Sequence, residues 1–223
     1  MMPMKKIISF DLDGTLVNAA YGDVVWNYGI PLEYSKKYGV PVDKARIIIR
    51  REYESVGDHN LLWYEIDHWL KKFKLPISKE DLLKLYESYI EPAPHAEATL
   101  AALGRRYSLV IASNAARIFI DRELALTGLR GYFAHIVSAT TDYRMVKKEK
   151  AFYKRLCDEL QVPASQIVHV GDHPVFDYDV PASAGIESYH LTDGDGADTG
   201  PGAYINGRRT IKDLRELLDL GDL

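Results

Sequence analysis

Five short apolar runs, rich in β-branched residues, recur along the chain: KKIISF (5–10), YSLVIASN (107–114), HIVSATTD (135–142), QIVHVGDH (166–173) and ESYHLTD (187–193). Runs of this kind suit strands buried on both faces, as in a parallel sheet. Helical patterns separate most of them. PHAEATLAALGRR precedes the second, ARIFIDRELALTGL follows it, KAFYKRLCDELQ lies before the fourth and the short VPASAG before the fifth. Strands alternating with helices imply right-handed crossovers. The expected fold class is therefore α/β, a Rossmann-like parallel sheet core with helices on both faces.

Residues 17–90 interrupt this rhythm and contain no convincing strand. IPLEYSKKYG and PVDKARIIIRREYESV read as helices, each with a proline near its start. DHNLLWYEIDHWLKKF puts Leu62, Ile66, Trp69 and Phe73 on one face of a helix. SKEDLLKLYESYI opens on Ser78 with Asp81 three residues later, a capping-box pattern. Pro92 and Pro94 mark the return to the core. The expected organisation is a core of residues 1–16 and 91–223 with an all-helical cap, 17–90, inserted after the first strand. The tail, GDGADTGPGAYINGRRTIKDLRELLDLGDL, reads as a glycine-rich loop and then an amphipathic helix over about 210–219.

Composition excludes several functions. The 223 residues are 47% apolar and 27% charged, an ordinary globular balance. The net charge of −4 offers no basic surface for nucleic acid or anionic membrane, and no run approaches the roughly 20 apolar residues of a bilayer span. Cys157 is the only cysteine, so no intramolecular disulfide forms and a reducing compartment is favoured. A cytoplasmic protein is expected, with no nucleic-acid or membrane partner. Its one cysteine reads as a small residue on a helix.

The chemistry lies where the strands end. In open parallel sheets ligands bind beyond the carboxyl ends of the strands. The first run ends in Asp11 and Asp13, the second in Ser113 and Asn114, and the fourth in Gly171-Asp172 with Asp177 five residues on. Lys147, Lys148 and Lys150 follow the third. Two unit charges about 4 Å apart cost on the order of 4 kcal/mol at an effective dielectric near 20, so clustered carboxylates call for a cation. Carboxylates with waters suit Mg²⁺, and such a cation can hold a phosphate oxygen. At i, i+2 on an extended chain, Asp11 and Asp13 leave from one face, where one can attack phosphorus and the other reach the ester oxygen. Gly14 lets the chain turn away beside the ligand, and the Ser113 hydroxyl with nearby amides can donate to phosphate oxygens.

DLDGT at 11–15, the serine in IASN and VGDHPVFD at 170–177 stand in the order found in the haloacid dehalogenase superfamily, which the chain resembles over nearly its whole length. The insert has the position and helical nature of that family's type 1 cap. The resemblance implies a Mg²⁺-dependent phosphatase of a small phosphorylated metabolite. Asp11 would be the nucleophile that forms an aspartyl-phosphate, and Asp13 the acid and base. Asp11, the Asp13 carbonyl and Asp172 would hold Mg²⁺, with Asp177 close by. Ser113 would bind the phosphoryl group with Gly14, Thr15 and Asn114. A lysine would balance the charge; counting back from VGD favours Lys147, with Lys148 next and Lys150 last.

Asn18, Tyr21 and Trp26 follow the catalytic turn and are candidates for touching the leaving group. His173 reads as a loop residue, Asp179 as a solvated or capping one, and Trp63, Tyr64 and Trp69 as helix packing. Two competing functions remain: a phosphosugar mutase with the same phosphoenzyme, and a non-catalytic protein that binds a phospholigand. Dehalogenase action is disfavoured because Asp13 serves a leaving oxygen that a halide lacks.

Overall fold

The computed structural model describes residues 6–192 and 202–220. All five apolar runs form strands: β1 (Ile7–Phe10), β2 (Ser108–Ser113), β3 (His135–Ser138), β4 (Ile167–Gly171) and β5 (Glu187–Leu191). Two further strands, β6 (Ala203–Ile205) and β7 (Arg208–Ile211), complete a seven-stranded sheet in the order β3-β2-β1-β4-β5-β7-β6. Every pairing is parallel except β6 with β7.

Alternation along each strand divides the core between the two faces of the sheet. Ile8, Phe10, Leu109, Ile111, Val168 and Val170 pack with Leu100, Ile120, Leu124 and Leu217. Ile7, Val110, Ala112 and Ile167 pack with Phe152, Tyr153 and Leu156 from the helix Lys150–Leu160 on the other face. Cys157 rides on that helix, half-buried. In register, Phe10 of β1 lies opposite Ile111 of β2 and Val170 of β4. The carboxyl ends of these three strands are therefore level, and Asp11, Ser113 and Asp172 emerge on the same edge. Because β1 runs between β2 and β4, the strand order reverses there, the place where α/β sheets open a crevice.

The tail departs from expectation. The glycine-rich loop falls mostly outside the described residues, but Thr210 and Ile211, expected on a helix, are buried in β7. Asn206 (φ 51°) and Gly207 (φ 78°) make the tight turn of a hairpin, a pairing that favours left-handed backbone at both positions. A 3₁₀ turn, Leu214–Leu218, then caps the first face of the sheet with Leu214 and Leu217.

The chain divides into two units, Met1–Val17 with Pro92–Leu223, and Asn18–Glu91. The second is all-helical among its described residues. It holds the long helix from Ala20 to Tyr38, then Val42–Val56, Ile66–Lys72 and Lys79–Lys84, with short 3₁₀ turns at Leu61–Tyr64 and Glu87–Tyr89. Trp69, fully buried, meets Tyr53 at 4.6 Å and stacks on Phe73 at 5.7 Å between centroids. The helix expected over 58–73 is broken at Glu65, because Asn60 Oδ1 accepts the Leu62 amide and sets a separate turn. Leu62 is consequently exposed, while Ile66, Trp69 and Phe73 are buried. Ser78 Oγ accepts the Asp81 amide at 3.1 Å, which is the expected cap. No helix among the described residues is long and apolar enough to cross a membrane.

Candidate active site

Asp11 follows β1 directly and its carboxylate is buried. One ligand oxygen from each of Asp11, Asp172 and Asp177 lies within 4.8 Å of the others. The lysine among them is Lys148, not Lys147. Lys148 Nζ, 1% exposed, donates to Asp11 Oδ1 (2.5 Å), Asp177 Oδ1 (2.5 Å) and the Ala112 carbonyl (2.9 Å). The selection is local: the Lys148 amide donates to Asn114 Oδ1 at 2.7 Å, which pins the loop to the end of β2. Lys147 instead sets its ammonium 5.2 Å from the centre of the Phe176 ring.

Behind the lysine runs a buried polar chain that sequence patterns did not reveal. Asp177 Oδ1 also meets His169 Nε2 at 3.1 Å, and His169 Nδ1 meets Ser9 Oγ at 2.7 Å. An ionised carboxylate can only accept, so Nε2 carries the hydrogen and Nδ1 accepts from the serine. Burial lowers the histidine and keeps it neutral. Burial would raise Asp177, but Lys148 and His169 outweigh it and hold its carboxyl below the ordinary range. Burial would likewise lower Lys148, yet Asp11 and Asp177 keep it charged at about 12.

The carboxylates outnumber the lysine. Burial pushes Asp11 upward against the pull of Lys148, and desolvation with the Asp177 charge pushes Asp172 upward. The cluster is short of positive charge, and its oxygen-only donors are those a hard dication takes. Asp11, Asp172 and Asp177 fit such an ion.

Asp13 faces a residue the sequence did not single out. Glu123, on the helix Arg117–Leu126, is completely buried and neither of its oxygens has a hydrogen-bond donor. Two ionised carboxylates offer no hydrogen to each other. Burial and the neighbouring Asp13 push Glu123 up to about 10, which favours its neutral form beside that aspartate. Burial raises Asp13 itself to about 6, with Glu123 opposing the rise. Nothing in the helical pattern of RIFIDRELAL marks this glutamate, since its partner lies on a distant turn.

Several expected ligand contacts prove to be scaffold. Gly14 (φ 79°) spends its amide on the Val17 carbonyl at 2.8 Å, and a Cβ there would lie 2.5 Å from Asp172 Oδ2. The glycine makes room for the acid and has no amide left for a phosphate. Thr15 is fully buried, and its hydroxyl donates to Asp172 Oδ1 at 3.4 Å. Asn114 uses its amide oxygen on Lys148, as above. Ser113 Oγ accepts the Ala115 amide at 3.0 Å, leaving its own hydrogen to be donated.

In the insert, Tyr21 is wholly buried and donates to the Leu83 carbonyl, so it packs that unit instead of meeting a ligand. The Asn18 backbone N–H donates to the Glu91 carbonyl (3.0 Å), tying the ends of the insert together, and its Oδ1 accepts from the Ala20 amide (3.3 Å). Trp26 packs edge-on against Tyr53 at 6.0 Å. His173 Nδ1 accepts from the Val175 and Phe176 amides, and Asp179, exposed as expected, makes a two-pronged ion pair with Arg208.

Asp177 sits on a π-helical turn, Pro174–Asp179, in which the Val180 amide bonds to the Val175 carbonyl. Pro181 follows, without an N–H and with a ring that crowds the carbonyl four residues back. The widened turn brings Asp177 against Gly171, where a Cβ would lie 2.4 Å from its Cγ.

Comparison with known proteins agrees with this geometry. Residues 5–185 match the family described as haloacid dehalogenase-like hydrolase. A stretch of 72 residues is 42% identical to haloacid dehalogenase-like hydrolase domain-containing protein 3 of Danio rerio, covering 32% of this chain and 29% of that protein. Another, of 70 residues, is 33% identical to the GMP/IMP nucleotidase YrfG of Escherichia coli K12, 31% of each. The chain thus matches less than a third of the length of these curated relatives. The crystal structure of a HAD phosphatase from Thermococcus onnurineus aligns with a TM-score of 0.79 and 25% identity over 98% of this chain and 99% of that one. With the matched family spanning most of its length and the acid cluster at the sheet's carboxyl edge, the chain belongs to the haloacid dehalogenase-like hydrolases.

Proposed function

We propose that the chain is a phosphomonoester hydrolase acting on a small phosphorylated metabolite. The observation that carries this reading is the pairing of two unlike aspartates at one strand end. Asp11 lies against Lys148 in the cluster with Asp172 and Asp177, while Asp13, two residues on, has no such cation against it among the described residues and is raised to about 6 by burial. An acid tuned to near neutrality can give up a proton and take it back. In the first step a carboxylate oxygen of Asp11 bonds to phosphorus, the ester P–O bond breaks, and Asp13 protonates the departing alkoxide. In the second, Asp13 takes a proton from water as its oxygen attacks phosphorus. The bond from phosphorus to Asp11 then breaks and phosphate leaves.

The Ser113 hydroxyl is placed to donate to a phosphoryl oxygen, and Lys148 offsets the charge of Asp11 throughout. A magnesium ion held by Asp11, Asp172 and Asp177, with the Asp13 carbonyl, would withdraw charge from the phosphoryl group. The name of the Escherichia coli relative puts nucleoside monophosphates on the panel of substrates worth assaying. A cytoplasmic site of action and the absence of nucleic-acid or membrane partners follow from charge and composition and belong to the same proposal.

The test is phosphate release from a generic aryl phosphate by the wild-type chain and by Asp11→Asn, with and without magnesium. Removal of the nucleophile is expected to cost at least about a thousandfold in rate, and chelation of divalent ions to abolish turnover. An Asp11→Asn chain as fast as wild type would overturn the covalent route.

A further inference from the structure

The helical insert carries an open surface cavity of its own, about 550 Å³, lined by Asp23, Asn27, Tyr28, Arg46, Arg50 and Tyr89 with Ala20 and Val24. That volume lies within the range of small-molecule sites. Its lining is not a random surface. Arg46 and Arg50 stand one turn apart on the helix Val42–Val56, so both guanidinium groups rise from the same face. Arg46 is 5.3 Å from the centre of the Tyr28 ring and has only a long, exposed contact of 3.4 Å to Asp43. Among the described residues the Arg50 guanidinium has no ion-pair or hydrogen-bond partner.

The aromatic wall is built as carefully as the acid cluster of the sheet. Tyr28 and Tyr89, 38% and 47% exposed, both rest on the buried Tyr86, at 6.3 and 6.4 Å between centroids. Tyr86 fits only because residue 29 is glycine: a Cβ there would lie 2.7 Å from the ring. Asn27 and Tyr28 are carried on a π-helical turn, Val25–Gly29, in which the Ile30 amide bonds to the Val25 carbonyl. Pro31 follows it, and such turns gather at functional sites. Asn27 Nδ2 donates to Asp23 Oδ1 at 2.7 Å, which leaves the amide oxygen and the second carboxylate oxygen as acceptors.

We propose that this cavity binds a compact anion bearing a flat ring, of the nucleoside monophosphate class. The phosphate meets the forked donors of Arg46 and Arg50, the ring lies against Tyr28 and Tyr89, and N–H or O–H groups of base or ribose donate to Asp23 and Asn27. Two cations against one carboxylate leave the lining positive, opposite in sign to the chain as a whole. The site stands on residues of the insert alone and does not depend on the chemistry at Asp11.

The test is calorimetric titration of adenosine 5′-monophosphate, ribose 5-phosphate and inorganic phosphate into the full-length Asp11→Asn chain without divalent metal, so that no turnover intervenes. Adenosine monophosphate is expected to bind one to one, about tenfold more tightly than ribose 5-phosphate. Arg50→Ala and Tyr89→Ala should each weaken it at least about tenfold while the melting temperature stays put, and Arg50→Lys should recover only part. No binding, or binding unchanged in both alanine variants, overturns the proposal. Should wild type release no phosphate from an aryl ester while these titrations behave as described, the hydrolase reading falls and the cavity stands.

Discussion

The acid cluster of the sheet and the arginine-tyrosine cavity of the insert are built with the same backbone device and the opposite electrostatics. Each hangs a polar residue on a π-helical turn that runs into a proline, Pro174–Asp179 before Pro181 and Val25–Gly29 before Pro31. Each uses a glycine to admit a large or charged side chain, Gly171 for Asp177 and Gly29 for Tyr86. In the sheet, Lys148 and Asp177 are about 1% exposed, and each is tied by several hydrogen bonds to buried neighbours. In the insert the charges stand in water, and Arg50 is unclaimed among the described residues. Charges that folding has dehydrated are committed to one another, whereas hydrated ones stay available to a visitor.

If that contrast is right, deleting a charge should be expensive in one place and nearly free in the other. The largest effect is expected for Lys148→Met. It leaves Asp11 and Asp177 buried without their cation, at a cost of about 3–5 kcal/mol in urea unfolding without metal. Addition of magnesium should restore part of the loss, and a cost below about 1 kcal/mol would break the comparison. Glu123 sharpens it. Glu123→Gln keeps the shape of a neutral carboxyl and is expected to cost less than about 1 kcal/mol at pH 7, whereas Glu123→Ala opens a void worth about 2–3 kcal/mol. A clear gain in stability for Glu123→Gln at pH 7 would mean that the glutamate is ionised.

Ser78→Ala removes a single exposed helix cap in the insert and should lower stability by about 1 kcal/mol, read from the urea midpoint. The smallest change is expected for Arg50→Ala, within about 0.5 kcal/mol of wild type in the same measurement. A larger loss would show that the arginine is structural after all.

The sheet was legible because its strands are short apolar runs broken by turns, and the acids were legible because each follows such a run directly. Where reading failed, the cause was a contact distant in sequence or a local signal outvoted by its surroundings. The choice between Lys147 and Lys148 lay with Asn114, whose amide oxygen fixes the loop. Glu123 was invisible because an acid on a helix means little until Asp13 is beside it. The hairpin of β6 and β7 did carry a signal, Asn206-Gly207 between alternating residues, hidden by the glycine-rich stretch before it. Tyr21 and Asn18 were judged by nearness to the catalytic turn, yet one is a core residue and the other a clasp.

That clasp has a practical meaning. The two crossings between the units run side by side, Val17 bridging Pro92 while the next residue out, Asn18, bonds to Glu91. Chain ends that already touch can be joined by a tight turn with little entropy to overcome. Replacing residues 18–91 by such a turn is expected to leave β1 paired with β2 and β4, which the circular dichroism and thermal unfolding of the shortened chain would check. The excised piece, closed by its own Asn18–Glu91 contact, becomes a candidate for grafting into another protein.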